Sequence, residues 1–97
     1  MLDVLSAEEF EALSGRPLKL FLGDHPLDVE VIEVRRLALP TPRKQPSFAV
    51  VFRDNGATQS GPQGMYRLEL PERGMLEIFA VAIGPDERGM RYEVIFN

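Results

Sequence analysis

From Pro17 onward the period of the apolar residues changes from helical to two. Leu18, Leu20 and Leu22 are spaced by Lys19 and Phe21. Tyr66, Leu68 and Leu70 are spaced by Arg67 and Glu69, and Tyr92, Val94 and Phe96 by Glu93 and Ile95. A period of two places one set of side chains on each face of an extended strand, so most of the chain must fold as sheet with one face covered. Clusters of Gly, Pro, Asp and Asn break the pattern into strands over about 17–22, 27–37, 47–53, 65–70, 75–83 and 90–96. The expected fold is mainly β, with a minor α+β character. It is an antiparallel barrel or strongly bent sheet of about six strands with one short N-terminal helix. At 97 residues the chain has room for one core, and residues 1–97 are read as a single domain.

The helix is expected over about 6–14. Ser6 is placed to cap it, Glu9 completes a capping box three residues on, and Leu5 with Phe10 has the spacing of a hydrophobic staple. Gly15 supplies a stop and Pro17 forbids continuation. Two turns do not persist in water unless they dock, and the apolar stripe of Leu5, Phe10 and Leu13 is the surface available for docking.

Two further features bear on topology. In the second strand Leu27, Val29 and Val31 fall on one face but Ile32 and Val34 on the other, a phase slip of the kind that a β-bulge produces. Between the fourth and fifth strands, a three-residue loop over 71–73 sets Leu68 opposite Leu76 and Arg67 opposite Glu77. That register gives an apolar pair on one face and an expected salt bridge on the other. Gly23-Asp24-His25-Pro26 reads as the first turn and Gly84 to Gly89 as the last. Leu39 to Pro46, with three prolines, and the polar stretch Asp54 to Gly64 read as loops.

The third and fifth strands are apolar on both faces. One face is the core; the other calls for the helix or for another protein. The candidate interaction surface is therefore Phe79, Val81, Ile83, Ala49 and Val51, with Phe10 and Leu13 as contacts from the helix.

Groups that carry chemistry are scarce. The chain has no cysteine, which removes disulfides, thiolate zinc sites and a thiol nucleophile together. His25, the one histidine, sits beside Asp24 in a turn. A general base oriented by that aspartate is the functional reading, and a solvated turn residue the structural one. Glu30 with Glu33 and Asp86 with Glu87 read as solvated faces, and Gly61-Pro62-Gln63-Gly64 lacks the lysine and helix of a phosphate loop. Arg35, Arg36, Arg43, Lys44 and Arg53 form a local basic cluster, read as an interface rim. A net charge of −4 with interspersed signs argues against general affinity for nucleic acid or anionic lipid. No stretch approaches the ~18 apolar residues of a membrane span, and no signal peptide is seen, so a cytoplasmic location is expected. No catalytic, metal or cofactor residues are assigned.

From Phe10-x-x-Leu13-x-Gly15, through Gln63-Gly64-Met65-Tyr66-Arg67-Leu68, Pro71, Gly74 and Phe79, to Tyr92-Glu93-Val94-Ile95-Phe96-Asn97, the chain resembles a family of short bacterial proteins of unknown function. The resemblance spans nearly the whole length, but its motifs are helix stops, turn glycines and inward aromatics. It implies no active site. It does imply gene neighbours resembling phage-tail collar proteins, and so at most a part in a tail-derived or secreted assembly. The expected function is a non-enzymatic interaction or structural module that binds a protein partner or itself. Two alternatives are carried forward: a small-ligand barrel with Tyr66, Tyr92 and the 54–64 loop at its mouth, and a hydrolase using His25.

Overall fold

The computed structural model describes residues 5–37, 46–59 and 61–96. Most of the proline-bearing loop, with Arg43 and Lys44, lies outside the described residues, as do Ser60 and Asn97. One helix, α1 (Ala7–Glu11), precedes β1 (Leu18–Leu22), β2 (His25–Arg36), β3 (Phe48–Asn55), β4 (Gly64–Leu70), β5 (Gly74–Pro85) and β6 (Gly89–Phe96). The strands close into a barrel in the order β1-β2-β3-β6-β5-β4, every neighbouring pair antiparallel. Among the described residues closure leaves no strand with one whole edge unpaired.

Several strand limits differ from the sequence expectation, for local reasons. The first turn is only Gly23-Asp24, because Leu22 already faces His25 and Phe21 faces Pro26. Gly23 has φ +60°, which suits the first position of a two-residue hairpin loop of type II′. Pro26 is tolerated because β3 pairs with β2 only from Val29 onward, so no neighbouring carbonyl there needs its missing N–H. The β5–β6 turn is also shorter than expected. Ile83 is bulged out between the Ala82–Tyr92 and Gly84–Arg91 pairs, and pairing then resumes through Pro85 and Met90.

The expected bulge in β2 is present at Ile32: Val31 faces Phe52 and Glu33 faces Val51. Inward positions are odd before it and even after it, so Val34 turns in against the core. The β4–β5 register is the expected one, with Leu68 facing Leu76 and Arg67 facing Glu77.

Both ends of the barrel are closed, by different devices. At one end lies α1, held by its capping box: the Glu9 N–H donates to Ser6 Oγ at 3.3 Å, and the Ser6 N–H to Glu9 Oε2 at 3.5 Å. The helix ends at Glu11, short of the expected residue 14. Leu13 and Ser14 make tighter bonds to Phe10 and Glu11, and the Gly15 N–H leaves the helix to donate to Val31 O of β2. Phe10 drops from α1 into the barrel. Its ring lies 5.1 Å from Phe96, 5.7 Å from Phe48 and 6.3 Å from Phe52, and Phe48 stacks on Phe96 at 4.8 Å. Arg36 of β2 grips Glu11 through both terminal nitrogens, at 2.8 and 3.1 Å, and Arg73 of the β4–β5 turn pairs with Glu9.

The strand order dictates the second closure. In a ring β1-β2-β3-β6-β5-β4, strands β3 and β4 stand opposite each other, so the chain from Asn55 to Gly64 has to cross the barrel end. Tyr92 Oη accepts from the Gly61 N–H at 2.8 Å, and Tyr66 Oη donates to Pro62 O at 2.6 Å. A Cβ on Gly61 would stand 2.7 Å from the Tyr66 hydroxyl, so only glycine allows this approach without displacement. Among the described residues no buried side-chain polar atom lacks a partner.

If α1 is a plug and not a surface attachment, Phe10→Ala should cost about 3–5 kcal/mol, the range for emptying a buried aromatic site. Leu13→Ala, at a half-buried position, should cost less than half as much. Urea unfolding of the two variants measures the contrast, and equal small losses would show that the plug contributes little.

Candidate interaction surface

With the interior filled, the chemistry open to a partner is on the outer wall and in the turns. That wall is not uniform. On β3 the outward residues are Ala49 and Val51, followed by Arg53. Arg35 of β2 reaches across them, donating to Glu33 Oε2 and to Glu93 Oε2 of β6, both at 2.9 Å. By register these side chains flank Ala49 and Val51, which are 1% and 2% exposed. The second apolar face of the third strand is thus covered by the stems of an ion-pair bridge. Ala49 and Val51 are not open to a partner, and the helix is not what covers them.

Arg53 makes a similar bridge one row along. Its Nε and Nη2 bond the Asp86 carboxylate at 2.6–3.1 Å, and its Nη1 bonds Glu30 at 3.0 Å. Asp86 also accepts the Arg88 and Gly89 N–H groups at 2.8 and 3.0 Å, which locks the β5–β6 turn. Arg35, Arg36 and Arg53, half of the expected basic rim and more, are therefore committed to carboxylates within the fold.

The wall formed by β4, β5 and β6 is different. Phe79 is 51% exposed, Met65 opposite it 56%, Ile95 on β6 50%, and Met75 further along β5 44%. Val81 is half-buried, and Ile83 is exposed at its bulge. Of the expected surface, then, the structure brings Phe79, Val81 and Ile83 together on one strand. Phe10 goes into the core, Leu13 stays half-buried beside it, and Ala49 and Val51 lie beneath Arg35. Met65, Met75 and Ile95 went unnoticed in the sequence, although alternation from Tyr66, Leu76 and Val94 already turns each of them outward.

The expected Arg67–Glu77 salt bridge does not form, although the two residues face each other. Arg67 turns the other way, donating to Gly23 O at 3.0 Å with its guanidinium 6.0 Å from the Phe21 ring centre. A carbonyl and an aromatic face on β1 and its turn outcompete an exposed ion pair, which is worth only about 0.2–1 kcal/mol. Lys19 behaves likewise: it faces Glu69 across β1 and β4 but pairs with Asp28 of β2. Glu69 and Glu77 are left without an ion pair among the described residues, beside Met75 and Phe79.

His25 is exposed where β2 begins. The mouth proposed between Tyr66 and Tyr92 is covered by Gly61 and Pro62, whose backbone occupies both hydroxyls. A hollow of about 370 Å³ lies instead beside α1, among Glu9, Leu13, Arg16, Leu70 and residues 71–73. Among the described residues no three His, Asp or Glu side chains gather as metal ligands, and no helix is long and apolar enough to cross a membrane.

The molecule is thus a closed six-stranded antiparallel barrel, plugged by a helix at one end and strapped by a loop at the other, with one apolar and acidic wall. The chain belongs to the family described as Domain of unknown function (DUF6916), which matches residues 5–96. No curated protein and no solved structure matches it.

The ion pairs of Asp86 and the buried end of β3 at Asp54 give opposite acid responses. Arg53 and the Arg88 and Gly89 N–H groups hold the Asp86 carboxyl well below the usual carboxylate range. Its stabilisation is present above about pH 4 and drains away as the pH falls further. Burial, with the charge of Asp28 adding to it, pushes Asp54 up, so its ionisation opposes folding once the pH rises through that region. In unfolding series from pH 7 to pH 2, Asp86→Asn should flatten the acid loss of stability. Asp54→Asn should raise stability at pH 7 and steepen that loss. Two variants running parallel to the parent would contradict both assignments.

Proposed function

We propose that this protein is a non-enzymatic interaction module that engages a protein partner through the outer wall of β4, β5 and β6. The supporting observation is the cluster of Met65, Met75, Phe79 and Ile95, each about half exposed on a barrel that fills its own interior. Together these side chains hold about 300–400 Å² of apolar surface in water, worth on the order of 8–10 kcal/mol if removed from it. That is comparable to the cost of bringing two molecules together, so the wall suits a contact of moderate strength and not an obligate one. A hydrolase built on His25 finds less support, since no hydroxyl or carboxylate bonds the ring among the described residues. A place in a phage-tail-like assembly belongs to this proposal through the family resemblance alone.

Photo-crosslinking in the native host tests it. A benzoylphenylalanine at position 79 should yield a defined protein adduct that weakens when Ile95→Ser is added. The same probe at position 28, on the opposite side of the barrel, should yield none. Equal yields from both positions, or none from position 79, would remove the wall as the interaction surface.

A further inference from the structure

Resting on that reading of the wall, we infer that its partner is a cationic, amphipathic protein segment: a stretch of lysine or arginine interleaved with apolar residues, and not a second copy of this chain. The wall is both apolar and acidic. Along the β4–β5 seam the outward pairs are Met65 with Phe79, Arg67 with Glu77, and Glu69 with Met75. Two carboxylates therefore sit among three large apolar side chains, with Ile95 exposed on the neighbouring strand β6.

The cations that could neutralise those carboxylates are turned away by named interactions. Arg67 is held by Gly23 O and the Phe21 ring, and Lys19 by Asp28. Elsewhere on the barrel the pattern is reversed: Glu11, Glu30, Glu33, Asp86 and Glu93 each accept an arginine. Among the described residues, the outward strand carboxylates without a cation, Glu69 and Glu77, thus stand beside exposed apolar side chains, and the other exposed ones without a cation, Asp24, Glu72 and Glu87, lie in turns. A partner that matches both features of the wall must bring positive charge with its apolar groups.

Two observations speak against a second copy as occupant. The apolar area, about 300–400 Å², is half or less of the ~800 Å² per partner that a standard stable interface buries. Two copies meeting through this wall would also bring Glu69 and Glu77 against the same carboxylates, in a chain already carrying a net charge of −4. A single segment needs less area, and the two methionines can reshape to receive varied apolar side chains.

The probes are three synthetic amphipathic peptides of one length: leucine with lysine, leucine with glutamate, and serine with lysine. Each is titrated into the full ¹⁵N-labelled chain, read by amide shifts and by calorimetry, with light scattering on the chain alone. The leucine–lysine peptide should shift amides of β4, β5 and β6 and bind best. Phe79→Ser, which leaves net charge unchanged, should weaken it about tenfold or more. Glu69→Gln with Glu77→Gln should weaken it roughly threefold to tenfold, an effect that shrinks in 0.5 M salt. Circular dichroism and urea unfolding confirm that the variants remain folded.

If the leucine–glutamate peptide binds the same wall equally well, the charge requirement is wrong while the interaction wall stands. If the chain alone is a dimer that Phe79→Ser dissociates, the occupant is a second copy, and again only the present inference falls. If no peptide binds the wall and the chain stays monomeric, or if binding ignores Phe79→Ser, the inference and the interaction wall fail together.

Discussion

The closed ring of six strands has to be filled from within, and the rest of the molecule follows from that requirement. Six strands enclose too little space for a ligand yet too much to leave empty, so inward positions carry large side chains: Phe48, Phe52, Tyr66, Tyr92 and Phe96. The strands alone leave the ends open. Phe10 supplies the missing volume at one end, which explains why a helix of five residues persists at all. At the other end, tyrosines serve where phenylalanines serve elsewhere, because their hydroxyls meet the backbone of the crossing loop.

Filling the interior removes it as a place for function and moves the question to the wall. There the division of labour is electrostatic. Over β3, arginine–carboxylate bridges from β2 to Glu93 of β6 and to Asp86 lie on the apolar residues and close that face to partners. On β4 and β5 the corresponding cations lean towards β1 and β2, and apolar and acidic side chains stay open together. Only the Arg53 pairs are largely covered; the exposed pairs of Arg35 and Lys19 contribute little to stability. Their effect is on access: one wall is covered by its own side chains and the other is left for another molecule.

Much of the fold was legible because it rests on short-range physics. The capping box at Ser6 and Glu9, the bulge at Ile32 and the register that sets Leu68 against Leu76 all follow from residues close in sequence. The early stop of α1 was not legible, because it depends on a carbonyl of β2 that competes for the Gly15 N–H. Nor was the second bulge at Ile83, since Phe79 to Ile83 is apolar at every position and leaves no alternation to slip. The candidate surface was half legible for the same reason. Two-faced apolar strands could be recognised, but whether the second face is covered by arginine stems or left open depends on what stands beside it.

By itself, the sequence determined the strands, most of their turns, the inward residues and the lack of thiol chemistry, because alternation, turn geometry and composition are properties of neighbouring residues. Tertiary structure alone decided the ring order that brings Gly61 and Pro62 over the barrel end, the burial of Phe10, and the direction in which Arg67 and Lys19 turn. Those outcomes depend on groups far apart in the chain competing for the same donor, acceptor or volume, and such competition exists only once the barrel has closed.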